Sequence, residues 1–174
     1  MAIVSRDQGL IRDHFIQVGD CFRPSLCAKI RSNLLEQAMN GTCLCGAITL
    51  QTPSQKTIDA CHCGMCRRWG GGPALGLACG SDVTIDGAEK LKTYQSSEWA
   101  ERGFCGNCGT HLFYRVLSAN QYFIPAGLFQ DETEFEFKEQ IYIDRKPSYY
   151  EFTNQTINLT EAEAFEKFGS LANT

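Results

Sequence analysis

The chain has no apolar run long enough to cross a membrane, no run of basic residues, no internal repeat and no low-complexity tract. The first absence excludes a membrane-spanning helix. The second, together with a net charge of -4, argues against nucleic acid as a partner. The opening residues, MAIVSRDQGLIRDHF, carry charges where a signal peptide needs an apolar stretch, so a cytoplasmic location is expected. The Asn-X-Thr triplets at Asn40, Asn154 and Asn158 are then chance matches to a glycosylation sequon. Gly70-Gly71-Gly72 lacks the Gly-Lys-Ser/Thr ending of a phosphate loop. Histidine is scarce too: His14, His62 and His111 are all there is.

Cysteine is what the chain has in excess. Seven of its ten cysteines fall in three tight clusters: Cys43-Leu-Cys45, Cys61-His-Cys63-Gly-Met-Cys66 and Cys105-Gly-Asn-Cys108. In a secreted chain such spacing would suggest disulfides, whereas in a reducing compartment it reads as metal ligation. A tetrahedral zinc takes four ligands, with sulfur at about 2.3 Å. Seven sulfurs divide into four, which close one site, and three, which leave a position open.

The 174 residues suit one domain with a real core. Residues 1–38 hold no clustered cysteine and one helical pattern, roughly Leu26 to Gln37, and are expected to be an N-terminal extension or a helix packed on the domain. From Gly41 the pattern is of short strands: Thr42–Gln51, Lys56–Ala60, Ala74–Cys79, Val83–Ile85, Leu91–Gln95, His111–Leu117, Tyr122–Ile124 and Gln140–Ile143. Thr160 with Glu163 three residues on is a capping box, and predicts a short helix ending at Gly169. The domain, 39–174, is therefore expected to be all-β or β-rich with a short C-terminal helix.

Cys43 and Cys45 sit two apart in a strand pattern, so both sulfurs are expected on one face. Cys105-Gly-Asn-Cys108-Gly109 has the composition of a zinc knuckle, with glycines that let the backbone turn around the sulfurs. Each pair is half a tetrahedral site, so Cys43, Cys45, Cys105 and Cys108 are expected to close one structural zinc. Cys61, Cys63 and Cys66 remain for a second, catalytic zinc whose fourth position holds water, a substrate thiol or an aldehyde oxygen. His62, Cys79 or His111 would close that site instead. Cys79 otherwise reads as core, His111 as a core or supporting residue, and Cys21 and Cys27 as free thiols. Arg67 and Arg68 follow the three-cysteine run directly and can offset its charge or clasp the carboxylates of an acidic ligand.

Three stretches, Gly41-Thr-Cys-Leu-Cys-Gly46, Cys61-His-Cys-Gly-Met-Cys-Arg67 and Phe104-Cys-Gly-Asn-Cys-Gly-Thr110, resemble the GFA family, named for glutathione-dependent formaldehyde-activating enzymes. Tyr94-Gln-Ser-Ser97 and Ile141-Tyr-Ile-Asp-Arg-Lys-Pro147 followed by Tyr150 extend the likeness, over about residues 39 to 152. The resemblance implies a β-tent fold of small antiparallel sheets and the same division of zinc ligands. It also implies a carbon–sulfur lyase chemistry, with glutathione and formaldehyde joined as S-(hydroxymethyl)glutathione. A fold of this kind also serves as a non-catalytic protein-binding module, and a relative occurs in a centromere protein. It further supports methionine sulfoxide reductases, which would need a reactive cysteine outside the zinc clusters; only Cys79, Cys21 and Cys27 are left for that role.

Overall fold

The computed structural model describes residues 38–129 and 135–172. The expected N-terminal extension, its helix over Leu26–Gln37, His14, Cys21 and Cys27 lie outside these residues, Ala38 excepted. The strands are β1 (Ala38–Thr42), β2 (Thr49–Pro53), β3 (Thr57–Cys61), β4 (Ala74–Gly80), β5 (Thr84–Asp86), β6 (Leu91–Ser97), β7 (Ala100–Cys105), β8 (His111–Val116), β9 (Gln121–Pro125), β10 (Glu136–Ile141) and β11 (Ile157–Leu159). Among the described residues two α-helices join them, α1 (Gly64–Gly70) and α2 (Glu161–Ala172). The β-rich expectation with a C-terminal helix is met.

The strands form two sheets. One has three strands in the order β1-β2-β5, and the other has eight, in the order β11-β10-β3-β4-β9-β8-β7-β6. All pairings are antiparallel except at one end of the large sheet, where β10 runs parallel to both β3 and β11. The core lies where β1 and β2 meet the middle of the large sheet. Ile48, Leu50, Leu77, Leu112 and Ile124 are fully buried there, with Met39, Phe113, Tyr122, Leu128 and Phe129 around them. Each such aliphatic side chain stabilises the fold by roughly 1.5–3 kcal/mol relative to exposure. Cys43 and Cys105 belong to the same cluster, so the four-cysteine site is built against the core.

The sequence reading differs from the structure at five places, each for a local reason. The strand expected over Thr42–Gln51 is two strands, because residues 43–48 turn back on themselves between β1 and β2. β7 and β11 carry no clean alternation and were not expected; Glu101, Arg102 and Gly103 interrupt the apolar pattern of β7. The run after Cys63 winds into α1, capped at its C-terminus by Gly71 in the left-handed conformation (φ 80°) with its N–H on the Arg67 carbonyl. The strand expected over Gln140–Ile143 stops at Ile141, because Tyr142 takes a left-handed conformation (φ 57°). Finally, Gly169 does not end α2, which continues to Ala172. Its start is as expected: the Thr160 N–H donates to Glu163 Oε2 at 2.7 Å, and the Glu163 N–H donates to Thr160 Oγ1 at 3.4 Å.

Candidate metal centres

Cys43 and Cys45 sit in the loop closing the β1–β2 hairpin; Cys105 is the last residue of β7, and Cys108 lies in the loop joining β7 to β8. The two loops use the same hydrogen bonds. The Cys43 N–H donates to the Ile48 carbonyl at 3.0 Å, and the Cys105 N–H to the Thr110 carbonyl at 2.9 Å. A glycine with positive φ follows the second cysteine of each pair, Gly46 at 71° and Gly109 at 77°. The N–H of each donates back to the carbonyl of the first cysteine, at 2.9 and 2.8 Å. Left-handed backbone is open to glycine at little cost. So Cys43 and Cys45 converge through a knuckle and not, as expected, along one face of a strand.

The four sulfurs lie within 4.8 Å of one another. The Cys43 and Cys45 sulfurs are 3.5 Å apart, and those of Cys45 and Cys105 are 3.8 Å apart. Tetrahedral ligands at about 2.3 Å from one ion stand roughly 3.8 Å apart, so the spacing fits a shared metal. The electrostatics of the four thiols favour a cation there as well. The Thr110 hydroxyl, 3.2 Å from the Cys108 sulfur, and the Thr110 N–H hold that thiol down to about 5. Although the Ala47 N–H favours the Cys45 thiolate, the neighbouring Cys108 and Cys43 sulfurs push Cys45 up to about 12. Adjacent thiolates oppose one another until a cation stands between them. The Leu44 N–H donates to Thr110 Oγ1 at 3.1 Å and ties the two knuckles together directly.

Cys61, Cys63 and Cys66 converge as well, their sulfurs within 4.8 Å of one another. Their supports are of another kind. Cys61 is the last residue of β3, Cys63 is the N-cap of α1, and Cys66 lies in the first turn of that helix. The Cys66 N–H donates to the Cys63 sulfur at 3.4 Å. The neighbouring Cys63 and Cys66 sulfurs push Cys61 far up, Cys66 is raised as well, and Cys63, favoured by Cys61 and Cys66 and by backbone N–H groups, is held well down. Again a cation is what would let all three ionise together.

No fourth His, Cys, Asp or Glu donor joins this trio among the described residues. His62, fully buried, points away from it. The Gln140 amide donates to Thr156 Oγ1 at 2.7 Å and to Asn158 Oδ1 at 3.3 Å, which turns its oxygen toward His62 Nε2 at 3.0 Å. His62 Nε2–H therefore donates to Gln140, and the Tyr150 hydroxyl donates to His62 Nδ1 at 2.7 Å. Burial pushes the imidazole below its ordinary range and keeps it neutral. This bond set locks the stretch between Cys61 and Cys63 onto β10 and the chain around Tyr150. Cys79 is buried in the core. His111 stacks on Trp69 with ring centroids 4.8 Å apart.

The two arginines singled out in the sequence stand differently. Arg67 Nε donates to the His62 carbonyl at 2.9 Å and so braces the cysteine loop. Arg68 is exposed on α1. The guanidinium that reaches the sulfurs belongs to Arg102, which no sequence motif marked. It is only 5% exposed, and its Nη2 lies 3.6 Å from the Cys66 sulfur. Its carbon lies 5.7 Å from the centroid of the Trp69 ring and 5.0 Å from that of Tyr114. The clue in the sequence was indirect: a knuckle at Cys105–Cys108 needs a strand before it, and that strand carries Arg102. Tyr142 is a second addition. It follows Ile141, the residue paired with Cys61, and burial, then the charges of Cys61 and Cys63, push its hydroxyl up to about 12.

The sequence is similar to known proteins. The chain is 38% identical over 128 residues to an uncharacterized lyase of Schizosaccharomyces pombe (strain 972), across 72% of this chain and 93% of that protein. A crystal structure of a Rhodobacter sphaeroides protein aligns with a TM-score of 0.47 at 29% sequence identity, over 53% of this chain and 89% of that one. Residues 38–145 match the family described as glutathione-dependent formaldehyde-activating enzyme. That span contains both cysteine clusters, Arg102 and Tyr142, and the chain belongs to the glutathione-dependent formaldehyde-activating enzyme family.

Proposed function

We propose that the chain is a zinc-dependent carbon–sulfur lyase acting on adducts between a small thiol, such as glutathione, and an aldehyde. The observation that carries this is the trio Cys61, Cys63 and Cys66, which lacks a fourth protein donor among the described residues and stands beside a complete set of four. A closed set suits a structural ion, and an incomplete one suits an ion that also meets substrate.

Cys61, Cys63 and Cys66 would hold the zinc, which would give a substrate thiolate a place to bind at neutral pH, where a free thiol near pKa 8.5 is only partly ionised. Three thiolates more than neutralise a divalent ion and would leave it a weak Lewis acid, so thiolate delivery fits this donor set better than aldehyde activation. In the synthetic direction the thiolate sulfur attacks the carbonyl carbon. A C–S bond forms, the carbonyl π bond breaks, and the proton given up by the thiol ends on the new hydroxyl, so the sum is thiol plus aldehyde to hydroxyalkyl thioether. Tyr142 offers a protonated hydroxyl to the developing oxygen. Arg68 and the remaining N–H groups of Arg67 are suited to the carboxylates of an acidic thiol. His62 keeps the ligand loop in place from behind.

The test begins with zinc per chain by elemental analysis of reduced protein. A value near two justifies assaying thiol–aldehyde adducts by the loss of free thiol and aldehyde, and turnover that Cys66→Ser abolishes would support the reading. A value near one, with no turnover, would favour a non-catalytic binding module on the same fold.

A further inference from the structure

Arg102 is a buried cation without a carboxylate: among the described residues, no Asp or Glu lies within ion-pair distance of its guanidinium. Burying an unpaired charge costs several kcal/mol, and such groups persist only beside a compensating anion. The group within reach is the sulfur of Cys66, which becomes the compensating anion when it ligates a metal as a thiolate. The side chain is also fixed in place. In the register of the large sheet Arg102 stands between Tyr94 on β6 and Tyr114 on β8, and its guanidinium packs near the rings of Tyr114 and, from α1, Trp69. Arginine suits such a slot, since its flat head stacks on rings while its edge donates hydrogen bonds.

The charges of the trio explain why the slot is there. Three thiolates around a divalent ion leave a net negative charge, and a thiolate ligand arriving from substrate adds another. We infer that Arg102 is the counter-charge of the three-cysteine centre, a positioning residue that orients Cys66 and sets how tightly that centre, but not the four-cysteine one, holds its metal. Arg102 serves the centre from β7, whereas Arg67, at the end of the CxCxxC run, spends its Nε on a backbone carbonyl. This rests on the metal reading of the trio and not on any choice of thiol or aldehyde.

The experiment is a zinc competition titration against a chromophoric chelator, on the full chain, for the wild type, Arg102→Met and Arg102→Lys. Outer partners of metal ligands typically account for about 10- to 100-fold in affinity. Arg102→Met is expected to weaken one of the two zinc sites by that factor and leave the other unchanged. Arg102→Lys, which keeps the charge, is expected to fall closer to wild type. Unchanged affinity in Arg102→Met would overturn the inference. So would equal weakening of both sites, or a lysine variant as damaged as the methionine one, since either result means that Arg102 only fills the space between Trp69 and Tyr114. Where Arg102→Met does not fold, the lysine variant decides: a loss below about tenfold supports the counter-charge and a larger one overturns it. A wild-type chain that binds zinc at the four-cysteine site alone would instead sink the reading of the trio itself.

Discussion

The two cysteine centres are built by opposite means. The four-cysteine set hangs on two hairpin loops with matching backbone bonds, backed by buried Cys43 and Cys105 in the main core. The three-cysteine set hangs on a strand end and a seven-residue helix, with none of its cysteines fully buried and with its order supplied by side-chain bonds: His62 on Gln140 and Tyr150, Arg67 on the His62 carbonyl, and Arg102 on Cys66. Backbone-built sites are complete in themselves and belong to the fold. Side-chain-built sites leave room at the metal and can be tuned one residue at a time.

That contrast is broken most severely by removing one ligand from each. Cys105→Ser puts a hydroxyl at a fully buried core position and costs the four-cysteine centre a ligand. Metal sites that tie distant segments together contribute on the order of 10 kcal/mol to folding in small zinc domains, so this variant is expected to unfold, with loss of the thermal transition. Cys66→Ser sits at a partly exposed position and is expected to lower stability by no more than about 1 kcal/mol while losing one zinc and all turnover. Calorimetry and zinc content of the two variants check the comparison, and equal destabilisation would contradict it.

The clusters were legible because a set of sulfurs suited to a metal leaves a short-range mark: two cysteines two or three residues apart, followed by glycine. The pairing of Cys43 and Cys45 with Cys105 and Cys108 followed from counting ligands, though the means by which the first pair converges did not. An apolar–polar alternation across Thr42–Gln51 looks the same whether the chain runs straight or turns at Gly46. Arg102 was invisible for a different reason. Its role depends on cross-strand neighbours, Tyr94 and Tyr114, and on Trp69 from a helix more than thirty residues earlier. Tyr142 lay inside a stretch that resembled the family, but its place next to the Ile141–Cys61 pair comes from the parallel β3–β10 register, which leaves no local pattern.

Strand β7 serves both centres, which gives the next test. Gly103 lies between Arg102 and the Phe104-Cys105 pair, and a Cβ there would stand 2.3 Å from the Phe113 ring. Phe113 is itself buried, so the ring has little room to withdraw. Gly103→Ala is expected to cost about 2–3 kcal/mol through overpacking. Because the strand must shift as a unit, zinc affinity should fall at both centres in the same variant. A fall at only one would mean that β7 transmits less than its position implies.

The smallest effects separate the two building styles most cleanly. Gly109 has φ 77° and no neighbour within 4 Å of the position a Cβ would take, so Gly109→Ala meets backbone strain and no clash. An alanine in that conformation costs about 1 kcal/mol, and the loss should appear as a lowered melting temperature of the metal-loaded chain. Gly64, the first residue of α1 in the three-cysteine run, has equally open surroundings but no left-handed backbone. Gly64→Ala should stabilise the chain by about 0.5 kcal/mol through helix propensity. Opposite signs for the two alanines would show that the four-cysteine loop depends on its backbone conformation and that the three-cysteine run, held by side chains, does not. Loss of stability in Gly64→Ala as large as in Gly109→Ala would mean that the open centre too depends on the freedom of its glycine.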